Sequence, residues 1–146
     1  MHDDIKLQIK KYYDDWFSIN KLYHDWARHH NISQKTLFVL YEIIHTEGPC
    51  TQVSICEKTS YQKQTVSQIV NALEKDGLLY RTKNPKDLRN KILNLTTEGS
   101  TYAHNLLNEL ETLEIKAFET MDITDRKKAI KGLHILAKSL EKCFEK

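Results

Sequence analysis

The sequence predicts a mainly α-helical fold with one small β-hairpin. Three observations predict it. Apolar residues recur every three or four positions over most of the 146 residues, as helices with one buried face require. Between Gly77 and Gly99 the period shortens to two, the spacing of half-buried strands. Positive charge gathers around those strands and at neither end of the chain.

Residues 5–29 read as a long helix, with Ile5, Ile9, Tyr12, Trp16, Ile19, Tyr23 and Ala27 on one face and Lys10, Asp14, Lys21 and Asp25 opposite. "NIS" breaks the pattern, and Ser33 can cap a second helix carrying Leu37, Leu40 and Ile44, which Gly48-Pro49 ends. Residues 51–58 make a short helix with Ile55 and Cys56 inward. Residues 62–76 make another, with Val66, Ile69, Val70 and Leu73 as its apolar stripe and Gly77 where a left-handed C-terminal residue belongs. "LLYRT" and "KILNL" are two short strands joined by a charged loop, and Leu93 and Leu95 alternate with polar neighbours. Thr96 is an N-cap candidate for a helix over 98–121, stabilised by Glu98. The last helix covers 125–145, with Ile130, Leu133, Ala137, Leu140 and Phe144.

Helix–turn–helix followed by a hairpin is a winged helix–turn–helix. The chain reads as one domain over 1–146, with a DNA-binding lobe at 33–97 and dimerisation helices at 1–32 and 98–146. The long terminal helices carry stripes too extensive to bury within one chain, so a two-fold homodimer is the economical assembly.

Composition narrows the function classes. Hydrophobic residues make up 40% and charged residues 29%, an ordinary globular balance. No apolar run approaches the ~20 residues of a membrane span, and "MHDDIKLQIK" lacks the apolar core of a signal peptide. Cytoplasm is the expectation, with no membrane partner. Cys50, Cys56 and Cys143 show no CxxC spacing and read as structural thiols. Residues 50–92 hold eight Lys/Arg against four Asp/Glu, net +4, whereas residues 1–49 and 93–146 are each −1. A basic middle between acidic flanks suits a polyanion. Four glycines build neither a phosphate cradle nor a nucleophile elbow, so the chain reads as no enzyme, with no cofactor.

Residues 51–99 resemble the core of MarR-family transcriptional regulators. The resemblance rests on Thr65-Val66, on L-E-K-x-G-L at 73–78, on D-x-R at Asp87 and Arg89, and on L-T-x-x-G at 95–99. The order and length of the flanking helices extend it over the whole chain. Leu88 stands where members often carry a second basic residue, and Thr59 and Ser60 where an apolar residue and a glycine are common. The resemblance implies a homodimeric regulator, a repressor by expectation, bound to a pseudo-palindromic double-stranded DNA operator. Its half-sites would lie about 34–36 Å apart.

The resemblance also implies that Arg89 enters the minor groove with Asp87 bracing it, since a held guanidinium suits a narrow, electronegative groove. On the 62–76 helix, Gln64, Gln68, Asn71 and Lys75 face away from the apolar stripe with Ser67 beside them, and Asn71 is read as a DNA-binding residue with those that follow. Gln64, Thr65, Ser67 and Gln68 are the base-edge candidates, because amides and hydroxyls read base edges, and Lys63 suits a phosphate. Tyr12, Trp16, Tyr23 and Trp26 read first as core and dimer packing; the resemblance adds a pocket for a small aromatic effector. Seven histidines form no ligand motif, and Lys35 and Thr36 stand where zinc-sensing relatives carry a Glu-His pair, so no metal is expected. The rival readings are a protein–protein interaction module without DNA binding and a redox or metal sensor on the same fold.

Overall fold

The structure is a computed structural model that describes residues 1–145. It orders the chain as α1 (His2–His29), α2 (Gln34–His45), α3 (Gln52–Thr59), α4 (Lys63–Lys75), β1 (Leu79–Thr82), β2 (Ile92–Leu95), α5 (Thr97–Glu119) and α6 (Ile123–Phe144). This is the winged helix–turn–helix order read from the sequence. The chain divides into two compact units, Met1–Ala103 and the residues from His104 onward.

Caps set most boundaries in the first unit. Ser33 Oγ accepts the Thr36 N–H at 3.0 Å and starts α2. Thr51 and Ser54 form a reciprocal capping box on α3. At the end of α4, Gly77 takes φ 76°, its N–H bonds Glu74 O, and the Leu78 N–H bonds Leu73 O. This pair of bonds is a Schellman closure, which turns the chain directly into β1. Thr96 then works twice: its Oγ1 donates to Gly77 O at 2.7 Å and accepts the Gly99 N–H at 3.0 Å, so the start of α5 is tied to the end of α4.

β1 and β2 pair antiparallel in the register Leu79–Leu95 through Thr82–Ile92. The hairpin has a third participant that the sequence did not announce. Thr51 bridges Ile92, and the Leu93 N–H bonds Cys50 O at 2.8 Å, so the N-terminus of α3 is fastened to the wing's inner strand. Leu37, Val39, Leu40, Ile55, Val66, Val70 and Leu79 are fully buried and form the lobe's core. The short third helix corrects one expectation: Cys56 is half-buried at the surface, and Cys50 is the buried cysteine. Cys50 sits in the extended segment that β2 covers, so strand pairing, not helical periodicity, decides which thiol goes inside.

α1 is a different kind of element. Ile5, Leu7, Ile9, Trp16, Phe17 and Leu22 are all exposed, and Ala27 is its one buried residue. In the second unit, α5 buries Leu106, Leu107 and Leu110 and exposes Leu113. α6 starts on an Asp122 cap, whose carboxylate accepts the Asp125 N–H at 2.9 Å, and buries no residue at all. No described helix is long and apolar enough to cross a membrane.

Candidate nucleic-acid interface

The turn between α3 and α4 is built without glycine. Ser60 adopts φ 59°, ψ 19°, a left-handed conformation unfavourable for a residue with a Cβ. Thr59 supports it, donating from Oγ1 to Ile55 O at 2.7 Å and accepting the Tyr61 N–H at 3.2 Å. Lys35 lies 5.6 Å from the Tyr61 ring centre, and burial raises the Tyr61 phenol above its ordinary pKa. Gln62 makes no side-chain cap on α4, which begins Lys63-Gln64.

Helical periodicity then sorts α4. Val66, Val70 and Leu73 are buried, while Lys63, Gln64, Gln68 and Asn71 are exposed and Thr65 and Ser67 half-buried at the margins. The proposed readers therefore share one solvent-facing side of the helix.

The wing loop is fastened internally. Asn84 Nδ2 donates to Asn90 O at 3.1 Å while its Oδ1 accepts the Lys86 N–H, also at 3.1 Å. Asp87 Oδ1 accepts the Arg89 N–H at 3.1 Å. These side chains take up backbone donors that a free loop would give to water, which holds the tip in one shape. The Asp87 carboxylate thus grips the backbone of Arg89, and among the described residues the Arg89 guanidinium enters no ion pair. Leu88 stands 74% exposed beside it.

Arg81 of β1 is a residue that the sequence reading passed over. Its Nη2 donates to Asn71 Oδ1 at 2.5 Å, and its Nε lies 3.7 Å from Glu74 Oε2. β1 and α4 are joined there. A groove of about 540 Å³ runs between α3, the first residue of α4 and the wing, with Lys63, Arg81, Arg89 and Lys91 among its lining residues and Glu57 and Asp87 as its carboxylates. Four cations against two anions leave the groove positive, and their side chains converge from three separate elements.

The four aromatic candidates fall into two groups. Tyr12 and Trp16 stack at 5.9 Å in a ring ladder that continues to Phe17, with Trp16 51% exposed. Tyr23 packs on Phe38 at 5.7 Å, and Trp26 stacks on His30 at 3.9 Å. Burial raises the Cys50 thiol above its ordinary pKa, partly offset by hydrogen bonding from Ser54, so this thiol is poorly reactive at neutral pH.

Comparison with known proteins agrees with this geometry. The sequence profile of the MarR family matches residues 30–90. An uncharacterized HTH-type transcriptional regulator of Bacillus subtilis (strain 168), YkoM, is 31% identical over 67 residues, 46% of this chain and 44% of that protein. The match therefore spans less than half of that relative's length. Among solved structures, NMB1585, a MarR family regulator from Neisseria meningitidis, superposes with a TM-score of 0.78 at 29% identity, covering 93% of this chain and 95% of that one. The MepR–DNA complex of S. aureus superposes with a TM-score of 0.75 at 21% identity, over 88% and 97% of the two chains.

Proposed function

We propose that this chain, which carries the MarR-family winged helix–turn–helix, is a DNA-binding transcriptional regulator that acts as a homodimer on a pseudo-palindromic operator. One observation carries the reading: Lys63 at the head of α4 and Arg89 and Lys91 of the wing line the same positive groove. A duplex laid against that lobe would meet phosphate-neutralising cations on both sides of an amide-rich helix face. Lys63 holds a phosphate, Gln64, Thr65, Ser67 and Gln68 approach base edges, and Arg89 enters the minor groove from a wing tip braced by Asp87. The solved MepR–DNA complex, whose fold this chain shares, supports DNA as the partner.

The exposed apolar faces of α1 and α6 support the homodimer. Two copies that cover these faces would place their recognition helices about one helical turn of DNA apart. Repression follows if the operator overlaps a promoter. A small aromatic effector lodged near Tyr12, Trp16, Tyr23 and Trp26 would release DNA by favouring a different lobe spacing. The cytoplasm is where such a regulator meets DNA.

Selection of bound duplexes from random sequence tests the reading, followed by competition binding on the selected operator and a scrambled duplex across a salt series. Arg89→Ala should weaken binding to most duplexes and flatten any preference for A·T-rich flanks, with the thermal midpoint nearly unchanged. Gln64→Ala and Gln68→Ala should each cost about 1–3 kcal/mol on the operator and little on scrambled DNA. Lys63→Ala should weaken both equally and flatten the salt slope by about 0.9. A wild type that enriches no sequence and binds no duplex would leave the interaction-module reading in its place.

A further inference from the structure

Asn71 is exposed on the recognition helix, and an asparagine there would ordinarily be read as an adenine partner, since its amide can accept from N6 and donate to N7 at once. Here the amide oxygen already accepts a hydrogen bond from Arg81. A guanidinium has five donors and no acceptor, so the Asn71 atom facing Arg81 Nη2 is the carbonyl oxygen and not the amide nitrogen. The assignment follows from the chemistry of the partner and needs no choice between amide flips.

The bond is charge-assisted. The guanidinium that makes it is about one-quarter exposed. Its Nε is buried without a hydrogen-bond partner, and Glu74 at 3.7 Å supplies charge but lies beyond hydrogen-bond distance. Turning the Asn71 carbonyl away would strip a further partner from a guanidinium that is already under-satisfied. The two Nδ2 hydrogens remain for the DNA.

We propose that Arg81 is a positioning residue that engages the Asn71 carbonyl and leaves the two Nδ2 hydrogens as the amide's free donors, so that this position of α4 prefers guanine to adenine. Guanine presents two adjacent acceptors, N7 and O6, in the major groove, whereas adenine sets its N6 donor against the second amide hydrogen. The inference rests on the DNA-binding reading above and fixes one letter of the operator. The other amide readers, Gln64 and Gln68, make no such bond among the described residues, so among the amides the restriction belongs to Asn71.

The test uses the selected operator and a panel in which each base pair is replaced in turn, with folding followed by thermal melting. Asn71→Ala should flatten the preference at one base pair, which marks the position, and that pair should carry guanine in the wild-type selection. Arg81→Met, which keeps the stem and removes the donors, should free the amide and move the guanine-to-adenine ratio at that pair by roughly tenfold toward adenine. If Arg81→Met fails to fold, Asn71→Asp serves instead. It keeps a partner for Arg81 and removes the donors, and it should lose the guanine preference without lowering the melting temperature. Adenine at the marked pair in the wild type, or an unchanged base profile in a folded Arg81→Met or Asn71→Asp, overturns the inference while DNA binding stands. A wild type that enriches no sequence overturns both.

Discussion

α4 and α6 are both amphipathic helices, and they meet opposite fates. α4 spans 13 residues and buries Val66, Val70 and Leu73 against neighbours on its own chain. α6 spans 22 residues, repeats Ile130, Leu133, Ala137, Leu140 and Phe144 at the same spacing, and buries none. The difference lies in what surrounds them. α4 sits in a lobe in which α2, α3 and the hairpin each contribute a fully buried residue or a close strand: Leu40, Ile55 and Leu79. Periodicity in a sequence announces an apolar face. It does not say whether the cover belongs to the same chain.

Opposite charges placed in the two helices should give the largest effects and the clearest contrast. Val70→Asp puts an unpaired carboxylate in the lobe core, at about 3–5 kcal/mol, and should unfold the lobe at any protein concentration. Leu133→Glu with Leu140→Glu places two charges on a face where Leu133 is 64% exposed in the single chain. That pair should leave the lobe folded and abolish the proposed dimer, seen as a halved mass in sedimentation with helical circular dichroism retained. A double variant that stays dimeric would show that α6 is not the covered face.

Much of the lobe could be read from the sequence because its boundaries are local chemistry. Ser33, Thr96 and Gly77 act where residue type alone places them: two hydroxyls accepting backbone N–H groups and one left-handed glycine. What escaped depends on partners distant in sequence. Cys50 is buried because β2, some forty positions later, pairs with it. Arg81 engages a helix ten residues earlier. A signal for Arg81 did exist: it shares a strand face with buried Leu79, while Tyr80 and Thr82 face the other way. A charged residue on the inward register of a strand demands a partner. Similarly, the wing's charges were legible and its fastening was not, because Asn84 acts through backbone donors that residue type alone does not locate.

A pair of glycines sharpens the contrast with smaller energies. A Cβ on Gly99 would stand 1.8 Å from Leu78 O, inside the joint that Thr96 closes. Gly99→Ala must move backbone and should lower stability by about 3 kcal/mol. Gly132 lies inside α6 with nothing within 4 Å of a built Cβ. Gly132→Ala should therefore raise the stability of the helix by about 1 kcal/mol. Should a partner helix pack closely there, the same change would weaken the dimer, and the concentration dependence of melting would report it.

The cysteines extend the comparison to chemistry. Cys143 near the end of α6 is exposed, Cys56 is half-buried and Cys50 is buried. Alkylation followed by mass spectrometry should label Cys143 first and Cys50 last, with Cys50 at least tenfold slower because it reacts only when the lobe opens. Burial holds the folded Cys50 pKa above its ordinary value. The stability it contributes is therefore complete below the unfolded thiol pKa, about 8.5, and is lost as pH rises through the higher folded value. A thermal midpoint that falls above that pH in wild type and falls less in Cys50→Ala would match this sign.

The smallest effect concerns the turn between α3 and α4. Ser60 holds φ 59° between α3 and α4, where a side chain bearing a Cβ is disfavoured by about 1 kcal/mol or slightly more. Glycine would remove that strain but would also free the unfolded chain, at a cost of about 0.4–1 kcal/mol. The two terms nearly cancel, so Ser60→Gly should stabilise the lobe by at most about 0.5 kcal/mol, a shift of roughly 1–2 °C in thermal midpoint. The turn's hydrogen bonds run through Thr59 and the backbone of Ser60, not through the Ser60 hydroxyl, so the substitution leaves them in place. Operator affinity should then hold steady while the midpoint rises slightly. A loss of affinity with unchanged stability would mean that the serine side chain itself meets the DNA, placing one more reader on the turn ahead of α4.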